Sequence, residues 1–283
     1  MSSDRQRVVF LHIPKTGGMS LYDVLRRNYA GLPAYVQFET RSAGEHALFE
    51  RPQHERDSLA YVAGHVHYGI HAIWSEPAAY FTMLRDPVDR LISQYYYVTT
   101  SRDHRNYEKR SAVTFSEFAL EERHGSYVAR RLAGYADPVN HVPFKPGELS
   151  ASEMIDLAVA NLKRHAVVGL TSEFDTSLLL LRRAFGWKRL YYVRRNTTKQ
   201  VHERSEISAD LKAELRGHLA VDGAIVEAGR ALFDAACASY GPDLERDLAA
   251  FQRSNTIYGN VARAVDRIRS DRLKRVLRRL FWL

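Results

Sequence analysis

The fold of this chain is decided by the stretch Val8-Val9-Phe10-Leu11-His12-Ile13-Pro14-Lys15-Thr16-Gly17-Gly18-Met19-Ser20-Leu21. An apolar run typical of a buried strand leads through a lysine and two glycines to the start of a helix. Glycines let backbone N–H groups turn toward an anion, the helix start adds partial positive charge, and Lys15 adds a full charge. The stretch therefore predicts a phosphate-binding loop. Its order differs from the nucleoside triphosphate loop G-x-x-x-x-G-K-[ST], because Lys15 precedes Gly17 and Gly18.

A second motif, from Tyr80 to Tyr97, joins an apolar strand to a helix. Asp86 suits the N-cap of that helix and Pro87 its first turn. Arg85 would then end the strand and Ser93 would lie two turns into the helix, close enough for both to bind one anion. The alternative is an N-capped amphipathic helix whose arginines are solvated.

Three histidines follow the strand that lies between these motifs. His65 comes directly after Gly64, where it can project into a cleft, and it titrates near neutrality as a general base for a hydroxyl must. His67 is the reserve candidate, because alternate residues of an extended segment face opposite sides. Two alternatives stay open: ordinary core or surface histidines, and a metal site that includes His71. The metal interpretation is weak because no carboxylate partner is identifiable.

The order His-Ile-Pro-Lys-Thr-Gly-Gly-Met-Ser resembles the 5′-phosphosulfate loop of carbohydrate sulfotransferases, in the branch related to heparan sulfate and uronyl 2-O-sulfotransferases. These enzymes use 3′-phosphoadenosine 5′-phosphosulfate (PAPS) and release 3′-phosphoadenosine 5′-phosphate. The family usually has Thr where Met19 stands. The resemblance covers about residues 7 to 240. Animal relatives are usually Golgi membrane proteins, so the resemblance implies a bacterial-type enzyme.

The resemblance implies in-line transfer of a sulfonyl group to a hydroxyl of a carbohydrate or glycolipid acceptor. His65 would be the catalytic base, and Lys15 would stabilise the leaving group. Arg85 and Ser93 would bind the 3′-phosphate of the donor. No metal is required, since a sulfonyl group carries less charge than a triphosphate. The remaining donor contacts implied are Pro14, Thr16, Gly17, Gly18, Met19, Ser20, Arg195 and Lys199, and the implied acceptor contacts are His67 and Arg130.

Two other functions compete with this one. A P-loop small-molecule kinase would use Lys15 on ATP and Asp86 on magnesium, but the loop order is inverted for it. A nucleotide-binding module without catalytic activity is the non-enzymatic alternative. The presence of Lys15, His65 and Arg85 together speaks against that module.

The apolar patterning predicts an α/β fold, a P-loop-like three-layer sandwich with a central parallel sheet flanked by helices. We expect a catalytic domain over residues 1–240 and a C-terminal helical extension over residues 241–283. Ser20 suits the N-cap of the first helix, and capping-box spacing starts two later helices at Thr114 and Ser150. The predicted strands are residues 8–13, 59–63, 80–84, 166–169 and 190–193, and a further helix runs over residues 174–185 to a stop at Gly186. The long polar segments expected to form loops around the acceptor are residues 31–56, 99–110 and 134–147.

The chain has 41 Lys and Arg against 33 Asp and Glu, a net charge of +8. The segment Val261 to Leu283 alone carries +6, so the rest is near +2 and a nucleic-acid-coating surface is not expected. One cysteine and the lack of a leader or a long apolar run favour a soluble, cytoplasmic protein. The basic amphipathic helix from about residue 261 has two interpretations: contact with anionic lipid at the inner membrane surface, or docking on the core or a partner subunit.

Overall fold

The computed structural model describes residues 6–38, 45–101, 107–110, 112–137, 141–145, 147–193 and 208–268, together with residues 270, 273, 276 and 277. Within them, five strands form one sheet and two form a separate antiparallel hairpin. The strands are β1 (Arg7–Leu11), β2 (Ala34–Gln37), β3 (Tyr61–Gly64), β4 (Ala78–Leu84), β5 (Tyr135–Asp137), β6 (Val142–Pro143) and β7 (Ala166–Leu170). The large sheet has the order β2-β3-β1-β4-β7, and every pair in it is parallel.

Helices connect and cover these strands. They are α1 (Gly18–Asn28), α2 (His46–Phe49), α3 (Gln53–Ser58), α4 (Pro87–Thr100), α5 (Tyr107–Arg110), α6 (Phe115–Ala119), α7 (Tyr127–Ala133), α8 (Ala151–His165), α9 (Phe174–Phe185), α10 (Ala209–His218), α11 (Ala220–Tyr240) and α12 (Asp243–Asp266). Short 3₁₀ turns lie at Ile70–Ile73, Glu122–His124 and Thr171–Glu173.

The sheet is buried on both faces, because the side chains of each strand alternate between two apolar clusters. Val8 and Phe10 of β1 pack with α1, α9 and α12, whereas Val9 and Leu11 pack with α7, α8 and α11. A third cluster joins α4, α6 and α10 beside the sheet. The predicted α/β sandwich with a central parallel sheet is confirmed.

Helix boundaries with a local chemical signal agree with the sequence predictions. Thr114 and Ser150 each form a complete capping box. Asp86 caps α4, with Pro87 in its first turn. Gly186 ends α9 in the left-handed conformation. Such signals depend on three or four neighbouring residues, so the rest of the fold does not alter them.

Two predicted features at the ends of elements are wrong. The helix after the loop begins at Gly18 with Gly17 at its N-cap, so Ser20 lies buried within the first turn. The Ser20 hydroxyl donates instead to the Val193 carbonyl at 3.4 Å. Residues 190–193 form no strand, because side chains take the hydrogen bonds of this segment: Asn255 accepts from the Tyr192 N–H at 2.8 Å.

The three segments expected to be loops contain regular structure. Residues 31–56 hold the edge strand β2 and two short helices, and residues 134–147 hold the β5–β6 hairpin. Residues 99–110 contain the end of α4 and the short α5. These elements are short and half exposed, so they lack the apolar periodicity on which the prediction depended.

The C-terminal helix α12 packs on the domain. Phe251 is buried in the same cluster as α1 and α9, and Ala262 and Val265 are buried near its end. The C-terminal extension is therefore docked on the core as far as Asp266. Most residues beyond Asp266, where the larger part of the basic amphipathic stretch lies, are outside the described part of the chain. No helix in the described residues is both long enough and apolar enough to cross a membrane.

Candidate active site

The glycine loop, the histidine segment and Arg85 meet at the carboxyl edge of the parallel sheet. β1, β3 and β4 are neighbours in it and run in one direction, so the residues that follow them lie side by side. The His12 N–H donates to the Gly64 carbonyl at 2.8 Å, and Arg85 Nη1 donates to the Lys15 carbonyl at 3.1 Å. The first motif thus contacts both of the others. Ligands of open α/β sheets bind at this edge.

The loop from Pro14 to Gly17 is a tight turn that two threonine hydroxyls hold in place. Lys15 and Gly17 both have left-handed backbones, with φ of 70° and 82°. Thr16 is buried, and its hydroxyl donates to the Ile13 carbonyl at 2.8 Å. Thr171, after β7, donates to the carbonyls of Thr16 and Leu84, each at 3.1 Å. These hydrogen bonds fix the loop beside the first N–H groups of α1, which have no partner within the helix.

The second glycine of the loop is needed for packing. A Cβ at Gly18 would lie 1.9 Å from Cε1 of His12, so the imidazole occupies that space. Nδ1 of His12 is buried without a hydrogen-bond partner among the described residues. Burial, the neighbouring His65 and the charge of Lys15 hold the pKa of His12 well below its usual value. A neutral imidazole thus separates the loop from His65.

Lys15 is a partly desolvated cation. Its Nζ lies 4.1 Å from the centroid of the Tyr97 ring, on α4. Burial, and then the positive charge of Arg85, lower the pKa of Lys15 to about 8. Two cations held this close together stabilise a bound anion, which would offset their repulsion. Lys15, the glycine turn and the helix start together suit an anionic group such as a phosphate.

The second motif supplies Arg85 and Ser93. Ser93 is half-buried on α4, in the second turn of the helix that begins two residues after Arg85. Asp86 Oδ1 accepts the Asp89 N–H at 2.9 Å. The carboxylate that a kinase would place on magnesium is therefore the N-cap of α4.

His65 is half-buried among aromatic rings. Its ring centroid is 5.1 Å from that of His12 and 6.2 Å from that of Phe38, and its N–H donates to the Gln37 carbonyl at 2.8 Å. Burial and then the charge of Arg131 lower the pKa of His65 to about 4. The imidazole is neutral at pH 7, so it has a lone pair with which to accept a proton.

His67 is engaged by a buried carboxylate. Its Nδ1 lies 2.8 Å from Glu45 Oε1, and its N–H donates to Glu45 Oε2 at 3.0 Å. The Tyr135 hydroxyl donates to the same Oε2. Burial lowers the pKa of His67, although the hydrogen bond to Glu45 opposes this. The two histidines thus have different surroundings, His65 toward the loop and His67 toward Glu45.

Two adjacent arginines of α7 have different partners. Arg130 is 9% exposed, and it donates to the Ser126 hydroxyl at 2.6 Å and the Arg123 carbonyl at 2.8 Å. Arg131 donates through Nη1 to the His65 carbonyl and lies 3.7 Å from Glu45 Oε1. The hydrogen bonds that connect α7 to the histidine segment come from Arg131.

The start of α7 is fixed by a fully buried carboxylate. Asp222 of α11 accepts the N–H groups of Val128 and Ala129 at 3.0 and 2.9 Å, and it lies 3.8 Å from Nη2 of the buried Arg90 on α4. The helix that carries Arg131 is therefore tied to the helix that carries Ser93.

Sequence reasoning missed four residues of the site: Glu45, Tyr97, Arg131 and Tyr135. Tyr97 and Arg131 lie within or beside motifs already singled out, whereas Glu45 stands in a segment without a motif. Arg195 and Lys199, the two donor contacts expected after residue 193, lie outside the described residues. Among those described, no group of three or more His, Cys, Asp or Glu side chains is placed to hold a metal ion.

Comparison with known proteins agrees with this geometry. No curated protein matches the chain. A model of the sulfotransferase family matches residues 1–219, which include the loop, both histidines, Arg85 and Ser93. The match covers well over half of the chain, so the chain belongs to the sulfotransferase family.

Proposed function

We propose that this protein transfers a sulfonyl group from PAPS to a hydroxyl of a carbohydrate or glycoconjugate, with His65 as general base. One observation carries the proposal. Lys15 and Arg85 converge on the glycine loop at the same sheet edge as a neutral His65. The order of the loop motif supports the branch related to heparan sulfate and uronyl 2-O-sulfotransferases. A bacterial, cytoplasmic enzyme is part of the same proposal.

In this mechanism the loop holds the phosphosulfate end of the donor. The N–H groups at the start of α1 bind the 5′-phosphate, and Lys15 stabilises the charge that develops on the bridging oxygen. Arg85 and Ser93 bind the 3′-phosphate and fix the position of the donor. The donor supplies a sulfonyl group whose bond to the phosphate oxygen breaks as the acceptor oxygen forms its bond to sulfur.

His65 accepts the hydroxyl proton during this transfer. The acceptor oxygen then enters the product as a sulfate ester, and the bond pair of the broken S–O bond leaves with the bisphosphonucleoside. The pKa of His65, about 4, is low for a general base that works near neutral pH. A bound donor brings negative charge to this edge, which raises the pKa toward the range of an efficient base.

The acceptor cleft in this proposal lies beside His67. Two of the segments expected to surround the acceptor, residues 31–56 and 134–147, meet where Tyr135 donates to Glu45. Phe49 and His141 stack there, and the Phe49 ring lies 6.3 Å from that of Tyr135. Aromatic faces together with polar groups suit a sugar, which has apolar C–H faces and hydroxyl edges.

Calorimetry with the full chain tests the donor. We expect 3′-phosphoadenosine 5′-phosphate to bind, and ATP with magnesium to bind much more weakly or not at all. Arg85→Ala weakens the binding, and Arg216→Ala, an exposed arginine of α10, serves as the matched control. Preference for ATP with magnesium would identify a kinase instead.

Transfer of radiolabelled sulfate from PAPS to extracts of the source organism tests the reaction and the acceptor class. We expect a labelled carbohydrate or glycolipid product, and no product with Lys15→Ala. Donor binding without transfer to any acceptor would indicate a nucleotide-binding module that lacks catalysis.

A further inference from the structure

The histidine edge of the site contains a buried carboxylate to which no function has been assigned. The Glu45 side chain is only 10% exposed, and its carboxylate makes three hydrogen-bonding contacts. These are with the His67 ring, the His67 backbone N–H and the Tyr135 hydroxyl. Burial alone would raise the pKa of Glu45, but the hydrogen bonds and charge of His67, with the Tyr135 hydroxyl, more than offset it and the pKa is lowered. Glu45 is therefore an anion at neutral pH.

The fourth contact of Glu45 connects it to His65. Nη1 of Arg131 lies 3.7 Å from Glu45 Oε1 and donates to the carbonyl of His65. A buried carboxylate at this distance partly neutralises the guanidinium. The electrostatic effect of Arg131 on the His65 imidazole therefore depends on Glu45.

Among the described residues, the other ionisable groups beside His65 are neutral or positive. His12 faces it from the end of β1, with Lys15 behind, and Phe38 faces it from the end of β2. Arg131 faces it from α7. In this set of groups, Glu45 is the one that carries negative charge.

We propose that Glu45 is a positioning residue for His65, which neutralises Arg131 and so sets the acid–base behaviour of the imidazole. This inference rests on the proposed role of His65 as the base. After accepting the hydroxyl proton, His65 is a cation beside Arg131. Without the charge of Glu45, that cation is less stable and proton transfer is less favourable.

The test follows the His65 imidazole by NMR in the full chain, without donor or acceptor, with the His65→Gln variant to assign its signal. We expect Glu45→Gln to lower the titration midpoint by about 1 pH unit, because Arg131 is then uncompensated. Arg131→Met should raise the midpoint by a similar amount. In the Arg131→Met background, Glu45→Gln should have a clearly smaller effect.

Tyr135→Phe is the matched control, since it removes a hydrogen bond from Glu45 without removing charge. We expect the His65 titration midpoint in Tyr135→Phe to equal that of the wild-type chain. An unmoved midpoint in Glu45→Gln, or a shift of the same size in Tyr135→Phe, overturns the proposal. If Glu45→Gln unfolds before His65 titrates, the Arg131→Met variant is the deciding measurement. An unchanged midpoint in that variant overturns the proposed connection from Glu45 through Arg131 to His65.

The pH profile of kcat/KM provides the functional readout. Its acidic limb should move to lower pH in Glu45→Gln, which a merely structural loss of activity does not cause. Because the NMR titration needs no turnover, a wild-type chain without sulfonyl transfer would overturn the proposed function and leave the effect of Glu45 measurable.

Discussion

At the scale of single residues, the site is defined by charges that the protein holds out of water. Lys15 lies beside Arg85, and its pKa falls to about 8. His65 lies beside Arg131, and its pKa falls to about 4. The same physical cause, burial next to a cation, lowers both pKa values. Lys15 therefore loses its charge just above neutral pH, and the His65 imidazole is already unprotonated there.

The first prediction concerns the pH dependence of donor binding. Lys15 is charged below its pKa of about 8 and neutral above it, so affinity for 3′-phosphoadenosine 5′-phosphate should fall as pH rises beyond 8. The fall should reach up to about tenfold for each pH unit. Calorimetry between pH 6.5 and 9.5 measures it.

Lys15→Arg is the informative variant here, since a guanidinium keeps its charge over this range and the fall should disappear. Lys163→Arg, at an exposed position of α8, should follow the wild-type curve. A wild-type affinity that stays constant to pH 9.5 would contradict the assignment of Lys15 to the donor.

The second prediction concerns His65. His65→Ala should reduce sulfonyl transfer at least about 100-fold while donor affinity stays within about twofold, because the base acts on the acceptor hydroxyl. Radiolabel transfer and calorimetry measure the two quantities. The matched control is His54→Ala, at an exposed histidine of α3. Wild-type turnover in His65→Ala would assign the base role elsewhere, first to His67.

At the scale of elements, the sequence was sufficient wherever a signal is local. The apolar run of β1 and the Asp86-Pro87 start of α4 both indicated their elements correctly. The edge strand β2 was not predicted, because Ala34 to Gln37 are mostly half-buried and paired on one side only. Glu45 was not predicted either, because its partners His67 and Tyr135 reach it only after distant segments have packed together.

The third prediction belongs to the contact between β1 and α1. Gly18→Ala places a Cβ 1.9 Å from the His12 ring, so the ring or the helix must shift. We expect a loss of roughly 1–3 kcal/mol in the free energy of unfolding, together with weaker donor binding. Thermal or urea denaturation and calorimetry measure these effects.

Gly223→Ala is the control for that substitution. Gly223 lies inside α11 with no atom within 4 Å of an added Cβ, so alanine should stabilise the protein by up to about 1 kcal/mol. Equal stability of the two variants would show that His12 is not packed against Gly18 as described.

At the scale of the whole molecule, the packed unit is larger than the part matched by the family model. The match ends at residue 219, whereas α11 and α12 add Ile225, Phe233 and Phe251 to the core. Residues 190–193, predicted to be the last strand, are bound by α12 instead, since Asn255 accepts the Tyr192 N–H. The docked part of the C-terminal extension thus supports the segment that leads from Tyr192 toward the expected donor contacts.

The fourth prediction tests this support. Asn255→Ala leaves the Tyr192 N–H without its partner and should cost about 1–3 kcal/mol in the free energy of unfolding. Asn260→Ala, at an exposed position of the same helix where the side chain accepts from Arg263, should cost much less. Chemical denaturation of both variants measures the difference. Equal losses would contradict a supporting role for Asn255.

The fifth prediction concerns the basic stretch after α12. A chain truncated after Asp266 keeps the buried Ala262 and Val265, so we expect it to remain folded. If this stretch contacts lipid, the full chain sediments with anionic vesicles and the truncated chain does not. Equal sedimentation of both chains would remove the membrane interpretation.

The parallel order of the sheet has a consequence for how the chain acquires its fold. Of the five strands of the sheet β1 comes earliest in the chain, but Val8 pairs with Tyr61 and Val9 with Tyr80, and the sheet is complete only when Tyr80 meets Ala166. Each pairing must close a long stretch of chain before it contributes stability, so folding should be slow for a protein of this size. During synthesis the apolar strand before the loop therefore remains unpaired until these later segments are available, and its exposed surface is prone to aggregation.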